Sequence, residues 1–261
     1  VPGINSEGLR GGTYSPDDGQ VSPLRAASSF VDVARRLGAE ARFGERVTGF
    51  KVRGGKVHAV VTSAGEYAAA TVVIASGAEA RETGELLRLT FPVVPDSHEA
   101  GITAPVRPFL GPLVVDMRAG PEGKTANFYF GQNAEGQIIF CYTPSQLFYG
   151  TSREPTSEFL PVLARRMIGL IPAMKDVPVR RTWRGLYPMT PDGIIIVDRV
   201  RELEGVVVAI GMCGQGMMLG PGVARCVSGM VTGSGPTIDA GALAALSLYR
   251  DFHKGRVEAL K

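Results

Sequence analysis

The sharpest chemical pattern in this 261-residue chain is Gly211-Met212-Cys213-Gly214-Gln215-Gly216, set between the apolar run 206–210 and a helical stretch from about Pro221 to Val231 that Gly233 closes. A strand, a tight turn and a helix start present unpaired backbone N–H groups and the positive end of a helix dipole. Such an end favours a phosphate, a carboxylate or an anionic ring placed against it. The spacing differs from the G-x-G-x-x-G of a dinucleotide loop, and no later parallel strand carries the acidic residue that would take a ribose. The turn therefore serves another part of a ligand, or none.

A second place for close approach is Thr71 to Ala78, an apolar strand ending in small residues around Gly77. Apolar strands that end in glycine also occur in folds that bind nothing there, so this run by itself leaves both readings open. His98, Tyr142 and Tyr149 are candidates for lining a substrate cavity, although Tyr and His in a β domain are more often half-buried packing residues with one satisfied hydrogen bond. Arg107, Arg180, Arg181 and Arg184 read as solvated surface charges. His58, His98 and His253 lack the neighbours of a nucleophilic triad or a metal site. Cys141, Cys213 and Cys226 show neither a disulfide framework nor zinc-ligand spacing, which points to a reducing cytoplasm.

The elements that must position these residues follow from periodicity and turn chemistry. A helix is predicted from Pro23 to Leu37, with Ser22 as N-cap and Leu24, Ala27, Phe30, Val31, Ala34 and Leu37 on one face that packs inward. Strands at 46–52, 56–63 and 66–70, separated by Gly54-Gly55 and Ala64-Gly65, read as a meander. From 91 to 149 the texture alternates, with runs at 113–117, 127–130 and 137–142 broken by Gly120-Pro121-Glu122-Gly123 and Asn133-Ala134-Glu135-Gly136, as in an antiparallel sheet. A helix from about Thr156 to Leu170 follows, and 183–198 returns to extended structure. Composition agrees: 44% hydrophobic and 20% charged residues support a sizeable core, and 34 Gly with 18 Pro favour a mixed fold rich in turns. The 28 basic residues are interspersed with 25 acidic ones, net +3, which argues against nucleic acid. No apolar run approaches the roughly 20 residues of a membrane span.

Three stretches, in order along the chain, resemble the superfamily of D-amino-acid oxidase, glycine oxidase, sarcosine oxidase and the β subunit of proline dehydrogenase. They are Gly12 to Ala39, with Asp18-Gly19-Gln20-Val21-Ser22-Pro23; Glu45-Arg46-Val47 to Gly77; and a paired carboxyl-terminal pattern. That pair is Trp183-x-Gly185 with Thr190-Pro191-Asp192-Gly193, then Gly211-x-x-Gly214-Gln215-Gly216 with a trailing Pro221-Gly222. The resemblance implies a mixed α/β fold: a partial Rossmann-like FAD-binding domain interleaved with an antiparallel-sheet substrate domain. The implied division is 1–90 for the middle of the FAD domain, 91–182 for the substrate domain and 183–261 for the end of the FAD domain. The family's amino-terminal βαβ unit, with its pyrophosphate loop, is not in this chain.

By the same resemblance the activity is FAD-dependent oxidation of the C–N bond of an amino acid or secondary amine (glycine-, sarcosine- or proline-like) by hydride transfer to flavin N5. Carried over residue by residue, Val47 meets the adenine and Gly77 ends the strand beside the cofactor, while Met212, Cys213, Gly214, Gln215, Gly216, Met217 and Met218 lie along the flavin ring. Tyr187, Tyr142 and His98 are substrate-side candidates, and no catalytic residue is assigned. Tyr187 stands where a carboxylate-binding Arg is found in glycine oxidase. Gly185 and Ser22 stand at or near flavin-linking positions, which implies a non-covalent flavin. Met218 and Ile138 replace lysines of monomeric sarcosine oxidase, which favours a dehydrogenase over an oxidase. Because no pyrophosphate loop is present, the chain alone is expected to take up no flavin, to expose the edge of strand 71–75, and to depend on a preceding segment or a partner subunit. A non-catalytic interaction subunit of the same fold is the alternative, and a colourless protein would mark it.

Overall fold

The computed structural model describes residues 1–253 except Pro121, Glu122, Lys124 and Pro236, with the side chains of residues 125–127 also left aside. In chain order the first elements are helix α1 (Pro23–Arg36), strands β1 (Val47–Arg53), β2 (Lys56–Thr62), β3 (Glu66–Ala68) and β4 (Val72–Ile74), and helix α2 (Ala80–Leu86). Then come β5 (Val94–Pro105), β6 (Val114–Val115), β7 (Thr125–Gln132), β8 (Gln137–Pro144), α3 (Phe159–Leu170) and β9 (Val179–Met189). The chain continues through β10 (Ile196–Arg199), β11 (Val206–Ile210), α4 (Gly216–Thr232) and α5 (Ala240–Ala245).

These elements form two compact units. One holds residues 1–22 and 97–186; the other holds 23–96 and, among the described residues, 187–253. The first 22 residues thus group with the large sheet rather than with residues 23–90 as the sequence division had it. Their tie is local: the Asn5 N–H donates to the Leu170 carbonyl at 2.7 Å, and an Arg118 guanidinium N–H reaches the Glu7 carbonyl.

The sheet unit is a five-stranded sheet in the order β6-β7-β8-β5-β9. Its core packs Phe128, Phe130, Ile138 and Phe140 against Phe159, Leu163, Met167 and Leu170 of α3. Each such side chain contributes about 1.5–3 kcal/mol by leaving water. Helix α3 begins at Phe159 rather than at Thr156, because Thr156 is taken by another partner: its N–H and hydroxyl each donate at 2.7 Å to the Glu99 carboxylate on β5.

The other unit contains the meander β1-β2-β3 and a second sheet in the order β10-β11-β4. Strands β4 and β11 pair in parallel: Val206, Val207 and Val208 of β11 lie opposite Val72, Val73 and Ile74 of β4. Both faces of β11 are covered, which explains its unbroken apolar sequence. Val206, Val208 and Ile210 join a core with Val57, Ile74 and Phe91, while Val207 joins Val197, Cys226 and Met230 under α4. Strand β4 is an edge strand of this sheet, and Val73 on it is 41% exposed.

Two expectations in this unit are corrected. Helix α1 has the predicted span, but its apolar face is not packed: none of its residues is buried, and Leu24 and Phe30 are 82% and 65% exposed. Helix α4 starts five residues before the predicted Pro221, which sits inside it. As the sixth residue of α4, Pro221 lacks the N–H that would bond back to the preceding turn, and the helix carries it past its first turn, so proline does not mark the first helical position in this chain. The predicted stop holds: Gly233 ends α4 in the left-handed conformation.

Candidate functional site

The site is built where two parallel strands end side by side. Ile74 pairs with Val208, and three residues beyond each comes a glycine with positive φ, Gly77 at 57° and Gly211 at 69°. Carboxyl ends of neighbouring parallel strands are where α/β sheets hold ligands.

After β11 the backbone is held in left-handed conformations at Gly211, Cys213 (φ 48°) and Gly214 (φ 84°). For cysteine this costs on the order of 1–3 kcal/mol and persists only where the surroundings over-determine it. Those surroundings are the segment Tyr187–Ile194. The Cys213 N–H donates to the Pro188 carbonyl at 3.1 Å, and its thiol donates to the Gly211 carbonyl at 3.1 Å. The Thr190 N–H donates back to Cys213 Sγ at 3.4 Å. A side chain at Gly211 would meet Thr190 Cγ2 at 2.4 Å, and one at Gly214 would meet the Tyr187 ring at 2.5 Å. Segment 187–194 is therefore a template against which the glycine turn is pressed.

The turn delivers the chain into α4. Gln215 precedes the helix and makes no side-chain cap, so the N–H groups of Gly216, Met217 and Met218 open it without intrahelical acceptors. At Gly216 a Cβ would meet nothing closer than Met212 Cβ at 3.6 Å, and Met217 and Met218 are exposed. An open helix start with a positive dipole end is suited to the electron-rich edge of a planar ring. These residues fit the ring of a flavin. G-x-G-x-x-G, the loop that grips a pyrophosphate, occurs nowhere in the sequence.

The template is itself anchored. The Asp192 carboxylate accepts from the Ile194 N–H at 3.1 Å, and Thr190 Oγ1 lies 3.1 Å from Asp192 Oδ1 and 2.9 Å from the Ile194 carbonyl, sharing its proton between them. Arg250 clamps Asp192 bidentately at 2.7 and 2.9 Å, and both side chains are more than 90% buried. Burial pushes the Asp192 carboxyl up, but Arg250, the Ile194 N–H and the Thr190 hydroxyl outweigh it and hold it below the usual carboxylate range. Arg250 went unnoticed in the sequence because it lies 58 residues from its partner, in a short tail with no motif. An arginine directly after the largely apolar stretch 242–249 was the one available signal.

The other predicted residues are distributed as follows. Val47 lines a cleft of about 1090 Å³ beside β4, lined also by Phe50, Val72, Ile74, Ser76, Glu79 and Glu82. Tyr187 stacks on Gly214 within the site. His98 and Tyr142 belong to the sheet unit: both are buried, His98 Nδ1 is 2.9 Å from Thr143 Oγ1, and Tyr142 packs in the apolar core. Ile138 is sealed in that same core, so its identity bears on packing rather than on oxygen. Cys141, Cys213 and Cys226 are free thiols, all buried.

Comparison with known proteins gives a consistent picture. The family model described as "DAO: FAD dependent oxidoreductase" matches residues 1–230. Hydrogen cyanide synthase subunit HcnC of Pseudomonas aeruginosa is 30% identical over 206 residues, which cover 77% of this chain and 46% of that protein. Glycine oxidase of Geobacillus kaustophilus is 29% identical over 265 residues, covering 98% of this chain and 64% of the enzyme. Among solved structures, L-proline dehydrogenase from P. horikoshii superposes with a TM-score of 0.84 at 28% identity, covering 93% of this chain and 63% of that one. The chain thus spans roughly half to two thirds of the length of these relatives. A family match over most of the sequence, together with parallel strands that end at a glycine turn and an open helix start, shows that the chain belongs to the DAO family of FAD-dependent oxidoreductases.

Proposed function

We propose that this chain forms the ring-facing and substrate-facing part of a flavoenzyme that oxidises the C–N bond of a small amino acid or secondary amine, of the glycine, sarcosine or proline type. The observation that carries the reading is the turn 211–216, fixed in left-handed conformations and opening into an uncapped helix. When bound, non-covalent FAD supplies the hydride acceptor. The chain's part is electrostatic and positional. The N–H groups of Gly216, Met217 and Met218 and the positive end of α4 stabilise negative charge at the ring edge, and the pre-set turn spares reorganisation during reaction. Val47 and Gly77 are assigned to the cofactor side and Tyr187 to the substrate side, while Tyr142 and His98, buried within the sheet unit, keep a packing role. The contact of Tyr187 with Gly214 supports its assignment. Residues 91–182, with residues 1–22 that group with them, are assigned to substrate enclosure, and the remainder to the cofactor.

We favour a dehydrogenase. Between Glu202 and Ala224 there is no lysine or arginine, so that stretch brings no cation to the ring edge to assist oxygen. Three reduced cysteines fit the cytoplasm, and among the described residues no helix is long and apolar enough to cross a membrane. The test combines the chain with the segment or partner subunit proposed to supply the pyrophosphate loop, loads that assembly with flavin, and mixes it anaerobically with glycine, sarcosine or proline. Bleaching of the flavin, with reoxidation faster by an artificial acceptor than by oxygen, is expected; a flavin that none of the three reduces would end this reading. A second reading, an interaction subunit that holds no flavin alone, draws on the open edge of β4 and the uncovered face of α1. A chain that stays without flavin even when combined with a segment or subunit carrying a pyrophosphate loop supports it.

A further inference from the structure

The family match ends at residue 230, yet a buried, fully hydrogen-bonded charge lies beyond it. Arg250 Nε donates to Asp192 Oδ2 at 2.7 Å, and Nη2 donates to Asp192 Oδ1 at 2.9 Å and to the Ile194 carbonyl at 2.6 Å. Nη1 donates to the Ile195 and Ser247 carbonyls at 3.1 and 3.0 Å, so all five N–H groups have acceptors. The guanidinium thus binds both ends of the 192–195 bend and the turn after α5 in one rigid fork, which a point-charged lysine cannot reproduce.

From Asp192 the contacts run toward the glycine turn without a gap. Asp192 lies beside the Thr190 hydroxyl, Thr190 Oγ1 is 3.3 Å from Cys213 Sγ, and Thr190 Cγ2 fills the space that a side chain on Gly211 would need. Cys213 is the non-glycine residue held at positive φ in that turn. We propose that Arg250 is a positioning residue: acting through Asp192 and Thr190, it holds Cys213 in the left-handed conformation and so sets where the 212–216 turn and the start of α4 point. The tail after α5 is then part of the site's geometry, although it touches no ring-facing residue. The consequence for flavin rests on the function proposed above; the relay itself does not.

Thiol labelling reads the relay directly and needs no flavin. Cys213 reports on the turn, Cys226 on the body of α4 in the same unit, and Cys141 on the sheet unit. Alkylation by iodoacetamide, followed peptide by peptide by mass spectrometry, is compared for the wild-type chain and for Arg250→Met, Arg250→Lys, Asp192→Asn and Thr190→Val. Local release of the turn raises the Cys213 rate at least about tenfold while Cys226 and Cys141 stay within about twofold. Arg250→Lys is expected to fall between wild type and Arg250→Met, and Thr190→Val to free Cys213 with the ion pair left intact. An unchanged Cys213 rate overturns the proposal. So does a joint rise of Cys213 and Cys226 in all four variants, because that would make the ion pair a staple of the whole unit rather than a setter of the turn. Loss of flavin binding in any variant leaves the thiol readout untouched, so failure of the relay and failure of the functional reading are distinguishable.

Discussion

Replacing each glycine of the turn by alanine separates residues that the fold requires from one that leaves room for a ligand. At Gly211 (φ 69°) and Gly214 (φ 84°) alanine must adopt the left-handed conformation, which costs on the order of 1–3 kcal/mol. Its Cβ would also lie 2.4 Å from Thr190 Cγ2 in the first case and 2.5 Å from the Tyr187 ring in the second, and relieving such overpacking costs about 1–3 kcal/mol more. The total is about 2–4 kcal/mol at either position when the two effects partly relax together. Gly216 is helical, and its nearest neighbour would be 3.6 Å away, so Gly216→Ala is expected to be neutral or to stabilise by up to about 1 kcal/mol. With a urea m-value of about 2 kcal/mol/M, Gly211→Ala and Gly214→Ala lower the unfolding midpoint by about 1–2 M, whereas Gly216→Ala leaves it in place or raises it. Circular dichroism follows the transition. Equal midpoints for Gly211→Ala and Gly216→Ala, or a greater loss at Gly216, would refute the reasoning.

Arg250→Met leaves the buried Asp192 carboxylate without its cation and should cost about 3–5 kcal/mol, read as a drop in the urea midpoint; a loss below about 1 kcal/mol contradicts the description of the pair as buried. Because the Asp192 pKa is lowered on folding, the unfolded chain binds the extra proton, so the associated stability is full above the ordinary carboxylate value of about 4 and is lost as pH falls through the folded value. Asp192→Asn should accordingly flatten the dependence of stability on pH below about 5, and an unaltered slope counts against it. Phe30→Glu on the uncovered face of α1 should change stability by less than about 0.5 kcal/mol, in contrast to Phe140→Ala in the sheet unit, which should cost about 3–5 kcal/mol. In the flavin-loaded enzyme, Gly216→Val should lower flavin content while leaving the midpoint nearly unchanged; full occupancy would move the ring away from this turn.

Elements whose causes are local were legible in the sequence. The meander followed from Gly54-Gly55 and Ala64-Gly65, and the C-terminus of α4 from Gly233, because turns and caps are set by residues within a few positions. The two apolar strands that each end in small residues were legible one by one, and the structure pairs them in parallel as β4 and β11. Properties set by partners far along the chain were not legible. Thr156 looks like a helix start in isolation but serves Glu99, and Arg250, which belongs to no motif, is the buried partner of Asp192. Helix α1 shows why a periodic apolar face is only half an argument: the period says which side is apolar, not whether this chain covers it. At the site, the glycines were legible as a turn, but the strain at Cys213 and the template formed by Tyr187–Ile194 needed three dimensions.

The central claim is that this chain presents a flavin-ring edge at 211–218 and lacks a loop to grip the pyrophosphate. Titration of chain 1–261 with FAD, followed by flavin fluorescence and by amide hydrogen exchange, tests both halves at once. The account predicts no stoichiometric complex at micromolar FAD, and at millimolar FAD it predicts slowed exchange concentrated in residues 211–220. A tight complex of micromolar affinity or better, or protection confined to residues outside that turn, would contradict it.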